Sequence, residues 1–281
     1  MNSLFQLITR FRTEESCIEY LEKHRWPEGI PVSPFIPEEP VYKLKNYQYK
    51  GKISGRVFNV KYGTIFWNTK LPLLFWFSAI GLFLSAKRGV SSYQMAKYLN
   101  VTQKTAYRIL MSIRSLFTAE NQKFLHGVVQ CDECFIGPKG DTRYKHIVKA
   151  PVLGLVSRRG CVMKVIDDVS KSSIYPVIEK HVRQGATIFT DEYKTYVKLP
   201  QHGYHHYACN HERKIFVDEK TLATTNAIEN LWKHFKLMLH NYNCVKRKYL
   251  QLYVDEYVFR FNNRDVGFKS LFIKLVNLAT Q

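Results

Sequence analysis

The chain has 281 residues, of which 46% are hydrophobic, 14% aromatic and 23% charged, and this composition excludes a disordered or collagen-like protein. A chain of this length can form two or three structural units with at least one sizeable core. Its formal net charge of +19 and its pI near 9.6 favour a polyanionic partner, nucleic acid or an anionic membrane surface, over a merely soluble basic protein.

Cysteine content and hydropathy predict a reducing compartment and no membrane span. The six cysteines are scattered through a chain too long to be a disulfide scaffold, and no signal peptide precedes them. The most apolar segment, Leu71 to Leu84, is shorter than the ~20 residues that a membrane helix needs. We therefore expect a buried helix over this segment and a cytoplasmic protein.

The N-terminal part is predicted to be a small module rich in Lys and Tyr. Apolar residues recur at helical spacing from Phe5 to Lys23. Prolines interrupt the segment from Pro27 to Pro40 and favour an extended path there. The residues from Val41 to Val60 have the pattern of short strands joined by turns.

The next part has the pattern of a helix-turn-helix. A first helix capped by Ser91 or Ser92 is followed by a tight turn at Asn100 and by a second helix that Thr102 caps. An ordinary helical hairpin with a solvated basic face is the alternative. In a DNA-binding motif the second helix presents its first turns to the major groove. The residues placed there are Gln103, Lys104, Tyr107 and Arg108.

From about His126 the hydrophobic period changes to that of strands. A sequence of three strands, a helix and two further strands predicts an α/β fold with a mixed sheet, and two long amphipathic helices follow it. The predicted strands are Val128 to Ile136, Pro151 to Val156, Cys161 to Asp167, Thr187 to Asp191 and Tyr204 to Cys209, and the helices are Ser170 to Val182, Ala227 to about Leu239 and Lys248 to Phe261.

Two carboxylates lie inside or at the end of these strands, Asp132 in the first and Asp191 in the fourth. A buried charge requires a partner, and neighbouring carboxylates bind divalent cations. Glu229, one turn into a helix, is the candidate for the third acidic ligand. Ligands that are all oxygen select Mg²⁺ or Mn²⁺, and two such ions would support phosphoryl transfer.

Each of these residues also has a structural alternative. Asp191 can be a helix cap at the end of its strand. Asn226 can be an N-cap that forms a capping box with Glu229. Lys233 can form an intrahelical ion pair with Glu229, whereas Lys236 lies two turns further along the same face and can reach a phosphate.

The pair Cys131 and Cys134 has the spacing of a zinc or redox motif. On a strand their odd separation places them on opposite faces, so they cannot hold one metal ion together unless the chain turns sharply. Asp132 and Cys134 share a face. The remaining alternative recruits Cys209 and His211 as distant zinc ligands, and we favour a strand that carries a catalytic aspartate.

Several segments together resemble, in order and spacing, the DDE transposases of the bacterial insertion-sequence family numbered fifteen-ninety-five, which are related to eukaryotic Merlin elements. The resemblance extends over nearly the whole chain. The segments are RWPEGIP, VYKLKNYQYKG, GRVFNVKYGTIFWNTKLPLLFWFSAIGLF, GVSSYQMAKYLNVTQKTAYRILMSIR, CDECFIG, IFTDEYKTY, YHHYACNH, TTNAIENLWKHFK and YLQLYVDEYVFRFNNR.

This resemblance implies an RNase H-like catalytic domain, with a mixed sheet flanked by helices, that cuts DNA at transposon ends and joins the 3′-hydroxyl to a target. Asp132 and Asp191 match the first two acidic residues of the family, and Glu229 matches the third. Some members use an asparagine as the third site residue, which would be Asn226. Lys236 occupies the family's basic position.

The N-terminal module departs from the family pattern. Relatives carry a four-cysteine zinc ribbon, but the matching positions in this chain are Val32, Phe35, Gly51 and Ser54, which cannot bind zinc tetrahedrally. We therefore predict a degenerate ribbon that folds without zinc. The residues expected to hold it together by packing are Trp26, Val32, Phe35, Tyr49 and Phe58.

The resemblance divides the chain into a helix and ribbon-like module (1–60), a helical region with a helix-turn-helix (61–125) and an RNase H-like domain (126–281). We expect a Mg²⁺-dependent or Mn²⁺-dependent transposase, using two ions, in the bacterial cytoplasm at the nucleoid. Lys236, Arg260 and Arg264 are expected to contact the DNA backbone, and Lys233 is also expected to bind DNA.

Its expected partners are double-stranded DNA, as transposon ends and as target, and further copies of the chain in a synaptic complex, with no membrane partner. Two alternatives are a catalytically silent or domesticated DNA-binding protein and a structure-selective nuclease without joining activity.

Overall fold

The computed structural model describes residues 2–120, 124–137, 149–191, 194–209, 225–242 and 245–280, so His211 lies outside the described residues. Two compact units are present, one made of Met1–Leu116 with Asp265–Gln281 and the other of Phe117–Arg264. The C-terminal segment therefore groups with the N-terminal part of the chain, whereas the sequence placed it in the third region. The boundaries expected after residues 60 and 125 remain predictions.

The described part of the chain contains helices and strands in the following order. The helices are α1 (Leu4–Arg10), α2 (Glu14–Arg25), α3 (Leu73–Ser85), α4 (Ser92–Leu99), α5 (Gln103–Ser115), α6 (Phe117–Glu120), α7 (Lys171–His181), α8 (Asn226–His240), α9 (Arg247–Asn262) and α10 (Phe268–Thr280), with a 3₁₀ helix over Lys194–His202. The strands are β1 (Val41–Lys43), β2 (Gln48–Gly51), β3 (Val57–Asn59), β4 (Val128–Ile136), β5 (Ala150–Ser157), β6 (Gly160–Val165), β7 (Thr187–Asp191) and β8 (His205–Cys209).

In the first unit, β1, β2 and β3 form an antiparallel sheet in that order. Tyr49 and Phe58 are register partners on β2 and β3, and both are buried. The Trp26 ring lies 5.1 Å from Tyr49 and 6.4 Å from Phe58 between centroids, and Phe35 lies 6.2 Å from Phe58. The packing predicted among these four aromatic residues is therefore present.

The prediction that Val32 belongs to this core is wrong. Its side chain is 50% exposed, whereas the neighbouring Ser33 is 2% exposed. Adjacent residues of an irregular segment point in different directions, and this segment turns the serine inward because the serine has a buried partner. That partner is Glu39, which the sequence did not indicate.

The Glu39 carboxylate is 5% exposed and connects two loops of the N-terminal module. It accepts hydrogen bonds from the hydroxyls of Ser33 (2.5 Å) and Ser54 (2.7 Å) and from the backbone N–H groups of Ile53 (2.9 Å) and Ser54 (2.8 Å). Burial raises the pKa of Glu39, but these hydrogen bonds outweigh it and lower the pKa to about 2. A Cβ at Gly51 would lie 2.1 Å from Glu39 Oε1, so the loop requires glycine there.

Helix α3 is the apolar segment that the sequence predicted to be buried. Its Phe77 ring contacts Phe272 of α10 at 5.4 Å and Phe11 at 4.9 Å between centroids. Phe272 and Phe11 also stack at 5.9 Å. These contacts explain why α10 joins the first unit. No helix in the described ranges is long and apolar enough to cross a membrane.

Helices α4 and α5 have the limits and caps that the sequence predicted. The Ser91 and Thr102 hydroxyls accept hydrogen bonds from the backbone of the first turns of α4 and α5, respectively. Asn100 adopts the left-handed conformation (φ 51°) that ends α4, a conformation that asparagine tolerates well. The two helices thus pack against each other and are joined by a tight turn.

The second unit contains a five-stranded mixed sheet in the order β6-β5-β4-β7-β8. The pairs β4–β5 and β5–β6 are antiparallel, whereas β4–β7 and β7–β8 are parallel. The predicted mixed α/β fold is confirmed. Strand β4 lies at the centre, so any group on it is surrounded by other strands on both sides.

Each face of this sheet carries its own core. Cys131 belongs to the cluster that includes α7, and Cys134 belongs to the cluster that includes α8 and α9. The prediction that the two cysteines point to opposite faces is confirmed. They are both free thiols, and the alternating strand geometry prevents them from sharing a ligand.

Helix α9 covers the outer edge of the sheet with two side-chain amides. The Asn262 amide accepts from the Cys161 N–H (2.8 Å) and donates to the Cys161 carbonyl (2.9 Å) on β6. The Gln251 carbonyl accepts from the Val165 N–H at 2.8 Å. Edge strands present unpaired backbone groups, so these amides complete the hydrogen bonding of β6 from the side.

Candidate active site

Asp132 lies on the central strand β4, and its register partner on β5 is Gly154. On the other side, β4 and β7 run parallel with Gln130 opposite Phe189. Asp132 and Asp191 each follow these register partners by two residues. They are therefore level with each other and lie on the same face of the sheet. The two acid-bearing strands are therefore neighbours.

Glu229 lies in the first turn of α8, and Thr225 is the N-cap residue of this helix. The prediction that Asn226 is the N-cap of a capping box is wrong, because Asn226 is the first helical residue. The Thr225 side chain makes no capping hydrogen bond and instead donates its hydroxyl to Glu229 Oε1 at 3.1 Å. Thr225 thus orients the carboxylate rather than the helix backbone.

Two side-chain hydrogen bonds attach α8 to β4. Gln130 Oε1 accepts from the N–H groups of Ala227 (2.9 Å) and Ile228 (3.0 Å) at the start of the helix. Trp232 Nε1 donates to Asp132 Oδ2 at 2.9 Å. No role was predicted for these two residues from the sequence, although Gln130 shares a strand face with Asp132 and Trp232 follows Glu229 by one helical turn.

Asp132, Asp191, Glu229 and Thr225 line one pocket of about 170 Å³. Within the described residues, no three His, Cys, Asp or Glu side chains lie close enough to hold one metal ion together. The shared cation site expected from Asp132, Asp191 and Glu229 therefore stays a prediction. A ligand set made only of oxygen fits a hard divalent cation such as Mg²⁺ or Mn²⁺.

The pocket is unfavourable for negative charge. Burial raises the pKa of Asp132, and the charges of Asp191 and Glu229 raise it further, while the hydrogen bond from Trp232 acts in the opposite direction. The carboxylates therefore affect each other electrostatically, which is the condition in which a divalent cation stabilises a site most.

Glu133, next to Asp132, points to the opposite face of β4 and was missed from the sequence. Burial raises its pKa to about 7, although Tyr196 donates a hydrogen bond to its Oε1 at 2.6 Å. The Cys131 thiol bonds to the same Tyr196 hydroxyl at 3.4 Å. Because side chains alternate along a strand, Glu133 could have been predicted from the sequence to share the α7 side of the sheet with Cys131. Tyr196 provides the hydrogen-bond partner that the buried carboxyl group needs there.

The basic residues expected near the site are in different environments. Lys236 lies beside Cys134, where burial raises the pKa of the thiol and the ammonium charge and hydrogen bond lower it. Lys233 is exposed, and in the described structure it forms no ion pair with Glu229, so that prediction is wrong. The Glu229 side chain instead lies in the pocket, where its carboxylate accepts the hydrogen bond from Thr225.

Arg260 on α9 and Arg264 just after this helix differ in their exposure and partners. Arg260 is mostly buried and pairs with the fully buried Glu256 at 2.9 Å. Its guanidinium is committed to the fold, so we no longer expect it to contact DNA. Arg264 is exposed and lies 4.6 Å from the centre of the Phe261 ring, where it remains accessible to a phosphate.

The four residues predicted to contact DNA lie on the first two turns of α5, in the other unit. Lys104 and Arg108 are exposed, whereas Gln103 and Tyr107 are partly exposed. Gln103 donates its amide to the Ser92 hydroxyl of α4 at 2.8 Å. The buried side of α5 carries Ala106, so the basic side is presented outward.

The sequence comparisons define the class of protein first. Residues 124–262 match the family described as the ISXO2-like transposase domain, and this segment covers the whole sheet and all the carboxylates of the pocket. The protein is therefore of the transposase class. This chain belongs to the ISXO2-like, fifteen-ninety-five family of transposases.

Two curated relatives agree with this assignment. An uncharacterized transposase-like protein of Haemophilus influenzae is 26% identical over 102 residues, which are 36% of this chain and 80% of the relative. An uncharacterized protein in transposable element ISH50 of Halobacterium salinarum is 25% identical over 217 residues, which are 69% of this chain and 72% of the relative.

Solved structures with partial similarity include the Mos1 strand transfer complex, with a TM-score of 0.31 and 13% identity over 70% of this chain and 74% of that chain. The pre-cleavage Mos1 transpososome has a TM-score of 0.28 and 13% identity over 72% of this chain and 78% of that chain. TM-scores this low do not establish a shared fold, and no inference rests on them.

Proposed function

We propose that this chain cleaves DNA strands at the ends of a transposable element and transfers the freed 3′-hydroxyl to a target. The observation that carries the proposal is the pocket in which Asp132, Asp191 and Glu229, from β4, β7 and α8, come together. The sheet has β4 at its centre, the antiparallel pairs β4–β5 and β5–β6 on one side and the parallel pairs β4–β7 and β7–β8 on the other, which is consistent with the expected RNase H-like domain.

The same three carboxylates would hold Mg²⁺ or Mn²⁺. Two such ions would supply Lewis-acid activation of the attacking oxygen and stabilisation of the leaving oxygen in phosphoryl transfer. Glu229 is supported as the third ligand over Asn226, because Glu229 lines the pocket and accepts a hydrogen bond from Thr225, whereas Asn226 does not line the pocket.

The chain's own side chains would bind and orient the DNA at this pocket. Lys236 follows Glu229 on the same side of α8 and lies beside Cys134, close to the end of β4, where its ammonium can neutralise a phosphate. Arg264 would bind a second phosphate further along. These contacts would position the scissile strand without reading its sequence.

The helices α4 and α5 would bind the ends of the element. Their caps and turn are consistent with a helix-turn-helix, and Lys104 and Arg108 lie on the exposed side of α5. We propose that Gln103 and Tyr107 contact bases while the two cations contact phosphates. Simultaneous binding of two ends would require at least two copies of the chain.

The test of catalysis compares Asp132→Asn, Asp191→Asn and Glu229→Gln with the native protein on labelled element ends in Mg²⁺. Each variant should lose strand cleavage by orders of magnitude and retain end binding, and Asn226→Ala is the matched control that should keep cleavage. Native-like cleavage by the aspartate variants would refute the assignment. Loss of activity in Asn226→Ala but not in Glu229→Gln would make Asn226 the third site residue.

A second measurement separates the proposed activity from its alternatives. Incubation of the native protein with element ends, a target plasmid and Mg²⁺ should give joined products that sequencing can locate. Cleavage without joining would indicate a nuclease. End binding without cleavage in Mg²⁺ or Mn²⁺ would indicate a catalytically silent DNA-binding protein.

A further inference from the structure

We infer that Gln130 and Trp232 are positioning residues that hold the α8 helix on β4 and so set the place of Glu229 relative to Asp132. Neither side chain lines the pocket described above. The inference rests on the proposed function, because the carboxylates that they position form the proposed cation site.

Gln130 performs the capping that α8 otherwise lacks. The first N–H groups of a helix need an acceptor, which the N-cap side chain usually provides. In α8 the N-cap residue Thr225 makes no such bond, and Gln130 Oε1 accepts from both Ala227 and Ile228. Because Gln130 caps the helix from the strand, the Thr225 hydroxyl is available to donate to Glu229.

Trp232 makes the second attachment one turn later. Its indole N–H donates to Asp132 Oδ2, which fixes the rotation of that carboxylate as well as the position of the helix. The indole can approach the sheet only because Gly154 is the register partner of Asp132. A Cβ at Gly154 would lie 2.6 Å from Cζ2 and 2.7 Å from Cη2 of Trp232, and 2.9 Å from Cδ1 of Ile228.

The two attachments lie on either side of Glu229 in the helix and on residues 130 and 132 of one strand. An α-helix is rigid over this length, so fixing it before and after Glu229 leaves that side chain only its own rotamers. Partners of metal ligands commonly change metal affinity by about 10- to 100-fold when they are removed. The geometry therefore predicts that both residues act on cation binding.

The experiment measures binding of Mn²⁺ alone to the full-length protein by the loss of the free-ion signal in electron paramagnetic resonance. Gln130→Leu and Trp232→Phe should each weaken Mn²⁺ binding about 10- to 100-fold. Gln130→Glu keeps an acceptor for the helix N–H groups and should bind Mn²⁺ with close to native affinity. Gly154→Ala removes no hydrogen-bonding group, yet should weaken binding because its methyl group displaces Trp232 and Ile228.

Two matched controls separate positioning from general loss of stability. Trp76→Phe removes a buried indole N–H that has no hydrogen-bond partner among the described residues, in the other unit. Gln251→Leu removes an amide that bonds the outer edge of the same sheet. Both variants should bind Mn²⁺ as the native protein does, even if Gln251→Leu melts at a lower temperature.

Strand cleavage provides an independent readout. In Gln130→Leu and Trp232→Phe, the Mg²⁺ concentration for half-maximal cleavage should rise by the same factor as the Mn²⁺ dissociation constant, with DNA-end binding unchanged. Native Mn²⁺ affinity in folded Gln130→Leu or Trp232→Phe would overturn the inference. So would an equal loss of affinity in Gln251→Leu, because that result would mean a stability effect only.

Failure of the inference and failure of the proposed function give different results. If Asp132→Asn and Asp191→Asn abolish Mn²⁺ binding while Gln130→Leu does not change it, the cation site stands and the positioning role is wrong. If the two aspartate variants bind Mn²⁺ like the native protein, the cation site itself is wrong and the positioning role falls with it.

Discussion

Asp132 and Glu133 show how strongly a single strand position affects a carboxylate. Asp132 faces a pocket with other carboxylates and a tryptophan N–H, whereas Glu133 faces the α7 core and a tyrosine hydroxyl. The pKa values of both carboxyl groups are raised, chiefly by burial. The sequence distinguishes the two only through the alternation of side chains along β4, and only the structure shows which face carries the pocket.

We predict that Asp132→Asn stabilises the protein in the absence of divalent cations. A carboxyl whose folded pKa is raised binds its proton more tightly in the folded state, so ionisation above that pKa costs stability. At pH 7.5 in EDTA, the urea midpoint of the variant should exceed that of the native protein, measured by tryptophan fluorescence. Added Mg²⁺ should then raise the native midpoint and leave the variant unchanged.

Asp168→Asn is the control of opposite sign. Hydrogen bonds from the Ser170 and Ser173 side chains lower the pKa of Asp168, so its carboxylate favours the folded state. This variant should have a lower urea midpoint than the native protein at pH 7.5. A lower midpoint for Asp132→Asn as well would show that the cost of burying the ionised Asp132 carboxylate is not the dominant effect.

We also predict that Glu39 makes the N-terminal module sensitive to acid. Its pKa falls from 4.5 to about 2 on folding, so its stabilising effect is fully present above pH 4.5 and disappears as the pH falls towards 2. Glu39→Gln should lower the melting temperature at pH 7 and flatten its dependence on pH between these values. The exposed neighbour variant Glu38→Gln should leave both unchanged, and an unaltered Glu39→Gln profile would contradict the prediction.

At the scale of elements, periodicity and capping residues predicted most helices and strands correctly. The α4–turn–α5 segment could be predicted because each cap bonds within a few residues, so local sequence determines it. The cap of α8 could not, because Gln130 reaches it from a strand 97 residues earlier in the chain. Val32 was assigned wrongly because the neighbouring Ser33 turns inward to Glu39. The ion pair expected for Lys233 is absent from the described residues, and Glu229 instead accepts a hydrogen bond from Thr225.

We predict that Asn262→Ala destabilises the second unit through the edge of its sheet. The variant leaves the Cys161 N–H and carbonyl without the amide partners that cover β6. Unsatisfied backbone groups cost about 1 to 3 kcal/mol, so chemical denaturation should show a loss of that order. Asn263→Ala removes a hydrogen bond to a carbonyl of its own helix and is expected to cost less.

Exposure of the β6 edge should also promote association. At high protein concentration, light scattering should detect larger particles for Asn262→Ala than for the native protein or for Asn263→Ala. Equal stability and equal scattering of the two asparagine variants would mean that the α9 amides do not protect the edge.

At the scale of the whole molecule, 42 Lys and Arg against 23 Asp and Glu dominate the electrostatics. An excess of +19 attracts DNA irrespective of its sequence, while the negative pocket concentrates cations. In the proposed function the two properties are compatible, because bound cations would neutralise the carboxylates. Not every basic residue is expected to contact DNA, because Arg260 forms an ion pair with the buried Glu256 inside the fold.

We predict that affinity for DNA falls steeply with salt concentration. Each phosphate contact contributes about 0.9 to the slope of log affinity against log salt. Lys104→Gln and Arg108→Gln should each reduce the slope by about 1 on element ends, measured by fluorescence anisotropy. Arg260→Gln is the comparison that should leave the slope unchanged, and a flat salt response of the native protein would contradict extensive phosphate contact.

The sequence by itself determined the mixed α/β class, the helix pair α4–α5, the opposite directions of Cys131 and Cys134, and the transposase family. These properties follow from local periodicity, from short-range caps and from motifs that persist in order along the chain. Only the tertiary structure decided that Glu39 links two loops, that α10 packs with the first unit, and that Gln130 and Trp232 attach α8 to β4. For α10 the free energy that selects the partner comes from burying the Phe272 ring against Phe77 and Phe11. For Glu39, Gln130 and Trp232 it is the cost of leaving a buried polar group unbonded, and no local pattern records either contribution.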